Sequence, residues 1–90
     1  MEIKLLKQAQ ADLEYWKRSG NTVIMKRITT LLKDIAKHPY TGIGKPEQLK
    51  FDLAGKWSRR INAEHRIIYS VQDDVLIVYV LSMRYHYSKK

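Results

Sequence analysis

The chain has 90 residues, and 17 Lys and Arg against nine Asp and Glu give it a formal net charge of +8 at pH 7. That positive excess favours polyanionic partners, namely nucleic acid, an acidic protein or anionic lipid. The absence of cysteine excludes disulfide and thiolate chemistry, and the longest apolar run, residues 75–81, is far shorter than the roughly 20 residues that cross a bilayer. A single domain over residues 1–90 is predicted, in a soluble, cytoplasmic protein with no membrane partner.

The first half of the chain predicts a short strand over residues 2–6 and then two helices. The first helix, over 8–18, carries apolar residues at helical spacing: Ala9, Leu13 and Trp16. Asn21 is suited to cap the second helix. The apolar face of that helix is longer: Ile24, Ile28, Leu31, Leu32 and Ile35. Pro39 ends it, because the residue before a proline is disfavoured in the α conformation.

The second half predicts a loop followed by strands. Residues 39–50 contain two Gly and two Pro, which is typical of an irregular loop. Four strands are predicted after it: 50–53, 56–62, 65–72 and 75–85. Turns at 62–64 and 72–74 would join the last three into an antiparallel meander. The predicted fold class is α+β, with both helices on one face of an antiparallel sheet and the other face available for a site.

Glu47 and a group of arginines are the first candidates for chemistry. Glu47 follows a Gly-Lys-Pro turn, and Pro46 would stiffen the approach to a positioned base, although most loop glutamates are solvated. Arg59, Arg60 and Arg66 lie on neighbouring predicted strands, and a guanidinium matches phosphate oxygens bidentately. The alternative is a solvated strand face. The Gly-Ile-Gly-Lys stretch lacks the Walker spacing, so nucleotide binding is not predicted.

The three histidines do not predict a metal site, because there is no cysteine and no His-x-x-x-His spacing. His38 is expected to cap a helix and His65 to pack or contact a turn. His86 lies between Tyr85 and Tyr87, where it could be an acid beside a base-stacking ring. Glu, His and Arg together can cleave RNA without metal: a base for the 2′-hydroxyl, an acid for the leaving oxygen and a cation for the phosphorane.

Three segments in order resemble the YoeB-type toxins of the RelE superfamily: GIGKPEQLK at 42–50, WSRRINAEHRIIY at 57–69 and RYHY at 84–87. The resemblance spans nearly the whole chain, and three linked motifs are more specific than any one of them. It implies a RelE-like fold with two helices on an antiparallel sheet. It also implies endoribonucleolytic cleavage of mRNA in the ribosomal A site, without a cofactor or metal, leaving a 2′,3′-cyclic or 3′-phosphate and a 5′-hydroxyl.

The resemblance assigns roles to individual residues. Glu47 resembles the general base and His86 the general acid. Arg66 resembles the arginine that stabilises the phosphorane, and Tyr87 the aromatic residue that orients the base beside the scissile bond. Four further positions are expected to contact substrate: Lys50, Arg59, Glu64 and Arg84. The chain departs from the family pattern at its end, where residues 88–90 follow the final tyrosine.

The implied partners are a YefM-type antitoxin with a flexible acidic tail, the 70S ribosome with its mRNA, and operator DNA bound only by the toxin–antitoxin complex. Some family members are homodimers. Other readings stay open: a ParE-like toxin that poisons gyrase, a basic nucleic-acid-binding module without catalysis, or an inactive toxin that still binds antitoxin. The gyrase toxin would need neither Glu47 nor His86. Salt-sensitive binding fits both the module and the enzyme, so loss of cleavage in single-residue variants separates them.

Overall fold

The computed structural model describes residues 1–82, so the predicted site residues Arg84, His86 and Tyr87 lie outside the described residues. Two helices and five strands follow one another in this part of the chain: β1 (Glu2–Leu5), α1 (Lys7–Ser19), α2 (Thr22–Lys37), β2 (Glu47–Gln48), β3 (Trp57–Arg60), β4 (Arg66–Gln72) and β5 (Val75–Val80). The fold class is α+β, as predicted. No helix within residues 1–82 is long and apolar enough to cross a membrane.

The five strands form one mixed sheet in the order β1-β5-β4-β3-β2. The predicted meander is present, since β2, β3, β4 and β5 pair antiparallel with their neighbours. The prediction of a purely antiparallel sheet is wrong at one edge, where β1 pairs parallel with β5 and Glu2 lies opposite Val75. Local turns reveal hairpins but not this pairing, because a parallel neighbour is reached only through a long crossover.

The predicted strand over 50–53 is also wrong, because Phe51–Leu53 is a 3₁₀ turn. Phe51 has a φ of +56°, in the left-handed region that an extended strand does not use. The strand instead lies just before it, at Glu47–Gln48, within the segment predicted to be loop. A strand of two residues is too short to show an alternating pattern in the sequence.

Both helices form where apolar periodicity predicts them. The Asn21 side chain accepts a hydrogen bond from the Ile24 N–H at 3.1 Å and caps α2, as expected. The apolar face of α2 packs into a core shared with α1 and the sheet. Its buried members come from all three parts: Trp16 from α1, Ile28, Leu31 and Ile35 from α2, and Ile67, Tyr69, Leu76 and Val78 from β4 and β5.

Arg59 is the centre of a buried polar network. Its side chain has 0% exposure, and all five guanidinium N–H groups have acceptors within the protein. Nη1 donates to Asp34 Oδ2 at 2.6 Å and to the Ile43 carbonyl at 2.9 Å. Nη2 donates to the carbonyls of His38 and Thr41. Nε donates to the Tyr69 hydroxyl at 3.2 Å.

These contacts correct the expectation that Arg59 touches substrate. A guanidinium with no exposed surface and no free donor cannot also bind a phosphate, so Arg59 acts on the fold. It holds the loop after α2 closed over the end of the sheet. Gly42 allows this closure: its φ is +123°, and a Cβ there would collide with the Asp34 carboxylate. The glycines of the Gly-Ile-Gly-Lys stretch therefore serve close packing.

Arg59→Lys is expected to lower the free energy of unfolding by about 3 kcal/mol, because an ammonium has three donors and leaves buried acceptors unpaired. For a domain of this size the Tm should fall by roughly 10–20 °C, measured by circular dichroism. Arg60→Lys is the matched control, since the Arg60 side chain is exposed on the same strand. The control should stay within about 0.5 kcal/mol of the parent. Equal Tm values for the two variants would contradict the role given to Arg59.

The Arg59–Asp34 pair also predicts how stability depends on pH. The hydrogen bond from Arg59 lowers the pKa of Asp34 below its ordinary value of 3.8, helped by the Ile43 N–H and opposed by burial. A carboxyl whose pKa is lower in the folded state stabilises the fold above its unfolded pKa. That contribution is lost as the pH falls from about 3.8 through the lower folded value. Urea unfolding should show Asp34→Asn less stable than the parent at pH 7, with the difference shrinking below that range. A constant difference would contradict the assignment.

Candidate active site on the second sheet face

The two faces of the sheet carry different side chains because residues alternate along β3. Arg59 and its cross-strand partner Ile67 point to the helices, while Ser58 points to the opposite side, here called the second face. Glu47 pairs with Ser58 in the register between β2 and β3, so it shares the second face. Arg66, at the start of β4, has the same parity. The register thus brings Glu47, Ser58 and Arg66 together.

Glu47 is held in place by the backbone on both sides of it. The Arg60 N–H donates to the Gly44 carbonyl at 2.7 Å, and the Leu49 N–H donates to the Lys56 carbonyl at 2.9 Å. Gly44 has a φ of +81°, and a Cβ there would lie 2.8 Å from a methyl group of Leu31. The segment that leads into β2 therefore packs against α2 on one side and is hydrogen-bonded to β3 on the other. Glu47 is predicted to be in a loop, but it lies on a strand.

Arg66 is the residue that links the second-face side chains. Its Nη1 lies 3.4 Å from Glu47 Oε1 and 3.3 Å from Ser58 Oγ. The Glu47 side chain is 62% exposed and that of Arg66 is 30% exposed. An exposed ion pair at this distance is weak. Both groups can therefore exchange this contact for one with a ligand that enters from solvent.

The remaining predicted residues of the described part lie in different settings. Lys50 is exposed at the start of the 3₁₀ turn. Glu64 is exposed in the turn between β3 and β4, with its carboxylate 3.8 Å from His65 Nε2. The expectation that His65 packs is confirmed, since its ring meets Trp16 edge-on with centroids 4.9 Å apart. Arg59 lies on the other side of the sheet.

Ser58 is the site residue that the sequence predictions missed. It has no exposure, yet its hydroxyl lies within reach of Arg66 on the face that carries Glu47. The signal was present, because Ser58 alternates with Arg59 on a strand and so must face the other way. The alternation along β3 does not reveal that Glu47 pairs with Ser58, because this pairing depends on the two-residue strand β2.

Chemically, the site offers a carboxylate and a guanidinium side by side on a strongly basic protein. The carboxylate can accept a proton, and the guanidinium can donate hydrogen bonds to a phosphate oxygen. Within residues 1–82 no group of three or more His, Cys, Asp and Glu side chains is placed to hold a metal ion. A proton donor for a leaving group would have to come from elsewhere, and the sequence candidate His86 lies outside the described residues.

Comparison with known proteins identifies relatives of this chain. The chain is 45% identical to the protein called Toxin YoeB in Streptomyces coelicolor over 87 aligned residues. This alignment covers 97% of this chain and 100% of that protein. The chain is similar to a chain in the crystal structure of the heterotetrameric YoeB–YefM toxin–antitoxin complex from Staphylococcus aureus. The TM-score is 0.85 and the identity is 40%, over 97% of this chain and 98% of that chain. A YoeB dimer from the same organism gives the same TM-score, identity and coverage.

A model of one protein family also matches the chain. Its description is the YoeB-like toxin of bacterial type II toxin–antitoxin systems, and the match runs over residues 5–87. This range contains both helices, the strands β2 to β5 and the Glu47–Arg66 pair. The chain therefore belongs to the YoeB-like toxins of bacterial type II toxin–antitoxin systems.

Proposed function

We propose that this toxin is an endoribonuclease that cleaves mRNA in the ribosomal A site by metal-free acid–base catalysis and so inhibits translation. The observation that carries the proposal is the Glu47–Arg66 contact of 3.4 Å on an accessible part of the second face. A base and a phosphate-binding cation side by side are the two groups that attack by a 2′-hydroxyl requires. The formal charge of +8 favours association with RNA.

In the proposed reaction Glu47 removes the proton of the 2′-hydroxyl, and the 2′-oxygen attacks the adjacent phosphorus. The bond from phosphorus to the 5′-oxygen breaks, and His86 supplies the proton that this oxygen takes up. The products are a 2′,3′-cyclic phosphate, which water can open to a 3′-phosphate, and a 5′-hydroxyl. Proton transfer by each positioned group contributes roughly 10²–10⁴ in rate.

Arg66 would stabilise the charge that develops on the phosphorane oxygens. Its guanidinium is already held by two acceptors, Glu47 Oε1 and Ser58 Oγ, on the face where substrate would enter. A donor oriented before the reaction needs little rearrangement in the transition state, and it is worth roughly 10²–10³ in rate. Because the contact with Glu47 is long and exposed, an incoming phosphate can replace it at little cost.

The other predicted residues are proposed to bind or orient the substrate. Lys50 and Arg84 would neutralise phosphates of the bound mRNA. Tyr87 would stack against the base beside it. Glu64, exposed next to His65 and Arg66, would contact the nucleotide through its carboxylate. Arg59 is not part of this set, because its five donors are used within the fold.

The proposed partners follow from the same assignment. A YefM-type antitoxin is supported by the heterotetramer of a relative with 40% identity. Its acidic tail would neutralise the basic surface, and the complex would bind operator DNA. The dimer seen for a relative supports a homodimer for this chain as well. The 70S ribosome would present the mRNA.

Glu47→Gln and Arg66→Ala are expected to lower cleavage by roughly 10²–10⁴ and 10²–10³, respectively, in an assay with programmed ribosomes and a defined mRNA. Their Tm should stay close to that of the parent, because an exposed pair contributes about 0–1 kcal/mol. Glu14→Gln is the matched control: it removes an exposed carboxylate, also ion-paired to an arginine, on α1. Cleavage by the site variants at the rate of the parent and the control would contradict the roles given to Glu47 and Arg66.

His86→Ala tests the acid separately. The parent is expected to cut within the A-site codon and to leave a 5′-hydroxyl on the downstream fragment. The rate of this cleavage is expected to fall by a factor of roughly 10²–10⁴ in the variant. The double variant with Glu47→Gln should lose little more than either alone, because the two groups act in one step. Binding of a YefM-type antitoxin, followed by gel filtration, should survive in each variant and verify the fold. A folded parent that leaves the mRNA intact would refute the proposed reaction.

A further inference from the structure

Tyr79 is the extra residue of a bulge in β5, at the point where the register with β4 shifts between Ile68 and Tyr69. A bulge turns a side chain in a new direction, and bulges are common beside functional sites. The Tyr79 hydroxyl lies 2.9 Å from Ser70 Oγ. Ser70 has the same parity along β4 as Arg66, so the ring of Tyr79 lies on the second face with both of them.

The orientation of the Tyr79 ring is fixed by hydrogen bonds at its hydroxyl end. Ser70 is only 4% exposed, and its Oγ lies 3.2 Å from Gln72 Nε2 as well as within reach of the Tyr79 hydroxyl. A buried hydroxyl needs such partners to compensate its lost hydration. The ring is therefore held at one end by β4 and presents a face to Lys56.

The Lys56 ammonium lies over this ring, with Nζ 4.7 Å from the ring centroid. The backbone of Lys56 is held too: its N–H donates to the Leu53 carbonyl at 3.0 Å, and its carbonyl accepts from the Leu49 N–H at 2.9 Å. Lys56 and Tyr79 are both half-buried. The ring attracts the ammonium without neutralising its charge, and no Asp or Glu of residues 1–82 forms an ion pair with Lys56. Within this part of the chain Lys56 is therefore a fixed cation without a counter-ion.

The Lys56–Tyr79 pair and the Glu47–Arg66 pair lie on the same face, one along β4 from the other. Ser70, which holds Tyr79, is four residues from Arg66 on this strand. At about 3.3 Å per residue this separation is about 13 Å. An RNA strand with one phosphate at Arg66 can reach Lys56 within a few nucleotides, and it carries a phosphate at each of them.

We propose that Lys56 binds a phosphate of the mRNA away from the scissile bond, and that Tyr79 is the positioning residue that holds its ammonium there. This inference rests on the function proposed above, because it follows one RNA strand along the second face from the Glu47–Arg66 pair. A cation beside a fixed aromatic ring is the combination used by sites for single-stranded nucleic acid. RNA is therefore favoured over an acidic peptide as the ligand of Lys56.

Binding of a short single strand, followed by fluorescence anisotropy, tests Lys56 without any cleavage. The probe is a labelled 2′-O-methyl RNA of about eight nucleotides, which cannot be cut because its 2′-oxygens carry no proton. Lys56→Gln is expected to weaken binding roughly three- to tenfold at low salt. It should also lower the slope of the logarithm of the binding constant against the logarithm of the salt concentration by about 0.7, as for one lost phosphate contact. Lys56→Arg should keep the slope of the parent.

Lys33→Gln is the matched control, because it removes one exposed lysine from α2, on the other side of the sheet. Its affinity and its slope should stay close to those of the parent. Equal losses in Lys56→Gln and Lys33→Gln would overturn the proposal, and so would a parent that does not bind the oligonucleotide at low salt. A labelled oligoglutamate of the same length is the second probe. If Lys56→Gln weakened binding of the peptide and not of the RNA, the site would serve an acidic protein and the proposal would fail.

Variants of Tyr79 separate positioning from stability. Tyr79→Phe keeps the ring under the ammonium and should retain most of the affinity that Tyr79→Leu loses, with the fold of each variant checked by circular dichroism. In a Lys56→Gln background, Tyr79→Leu should cause no additional loss, because a residue that acts through Lys56 has nothing left to position. An additional loss equal to that in the parent background would overturn the role given to Tyr79.

The ribosome assay should distinguish the two pairs by kinetics. Lys56→Gln is expected to raise KM roughly three- to tenfold with kcat within about twofold of the parent, because a contact away from the scissile bond is made equally before and during the reaction. Arg66→Ala is expected to lower kcat instead. A lower kcat with an unchanged KM in Lys56→Gln would overturn the proposal. If the parent protein cleaves no mRNA, the proposed function fails, and the anisotropy measurements alone decide whether Lys56 binds an RNA phosphate.

Discussion

The fold depends on one buried cation. Arg59 joins three parts of the chain: the end of α2 through Asp34, the loop after it through three carbonyls, and β4 through Tyr69. Tyr69 extends the network, because its hydroxyl donates to the Pro39 carbonyl at 2.6 Å. The loop closed in this way leads directly into β2. Arg59 therefore determines where Glu47 meets β3, although it touches no part of the candidate site.

The sequence predicted the parts of the fold that have a local signal. Both helices were found because their apolar residues repeat at helical spacing, and three strands were found because turns separate them. The parallel pairing of β1 and the short strand β2 have no such signal, since each depends on a partner distant in sequence. The roles of Arg59 and Arg66 could not be told apart for a related reason: burial of a guanidinium needs acceptors, and those of Arg59 come from Asp34 and from loop carbonyls that no side-chain pattern reveals.

The described part of the candidate site is positioned by the sheet and not by its own weak ion pair. Glu47 and Arg66 depend on sheet register, which the Arg59 network maintains through β3. The N-terminal helix also holds the end of β5, because its buried Asp12 and Trp16 hydrogen-bond the backbone of Leu81.

Two of the Arg–carboxylate pairs among residues 1–82 differ in burial and therefore in role. Arg59 and Asp34 are 2.6 Å apart with the guanidinium fully enclosed, whereas Arg66 and Glu47 are 3.4 Å apart with both groups open to water. Enclosure makes the first pair costly to break, since a single buried charge would be left. Exposure makes the second pair cheap to break, since water or a phosphate can replace either partner. A permanent pair suits the fold, and a replaceable pair suits a site whose base must be released when substrate arrives.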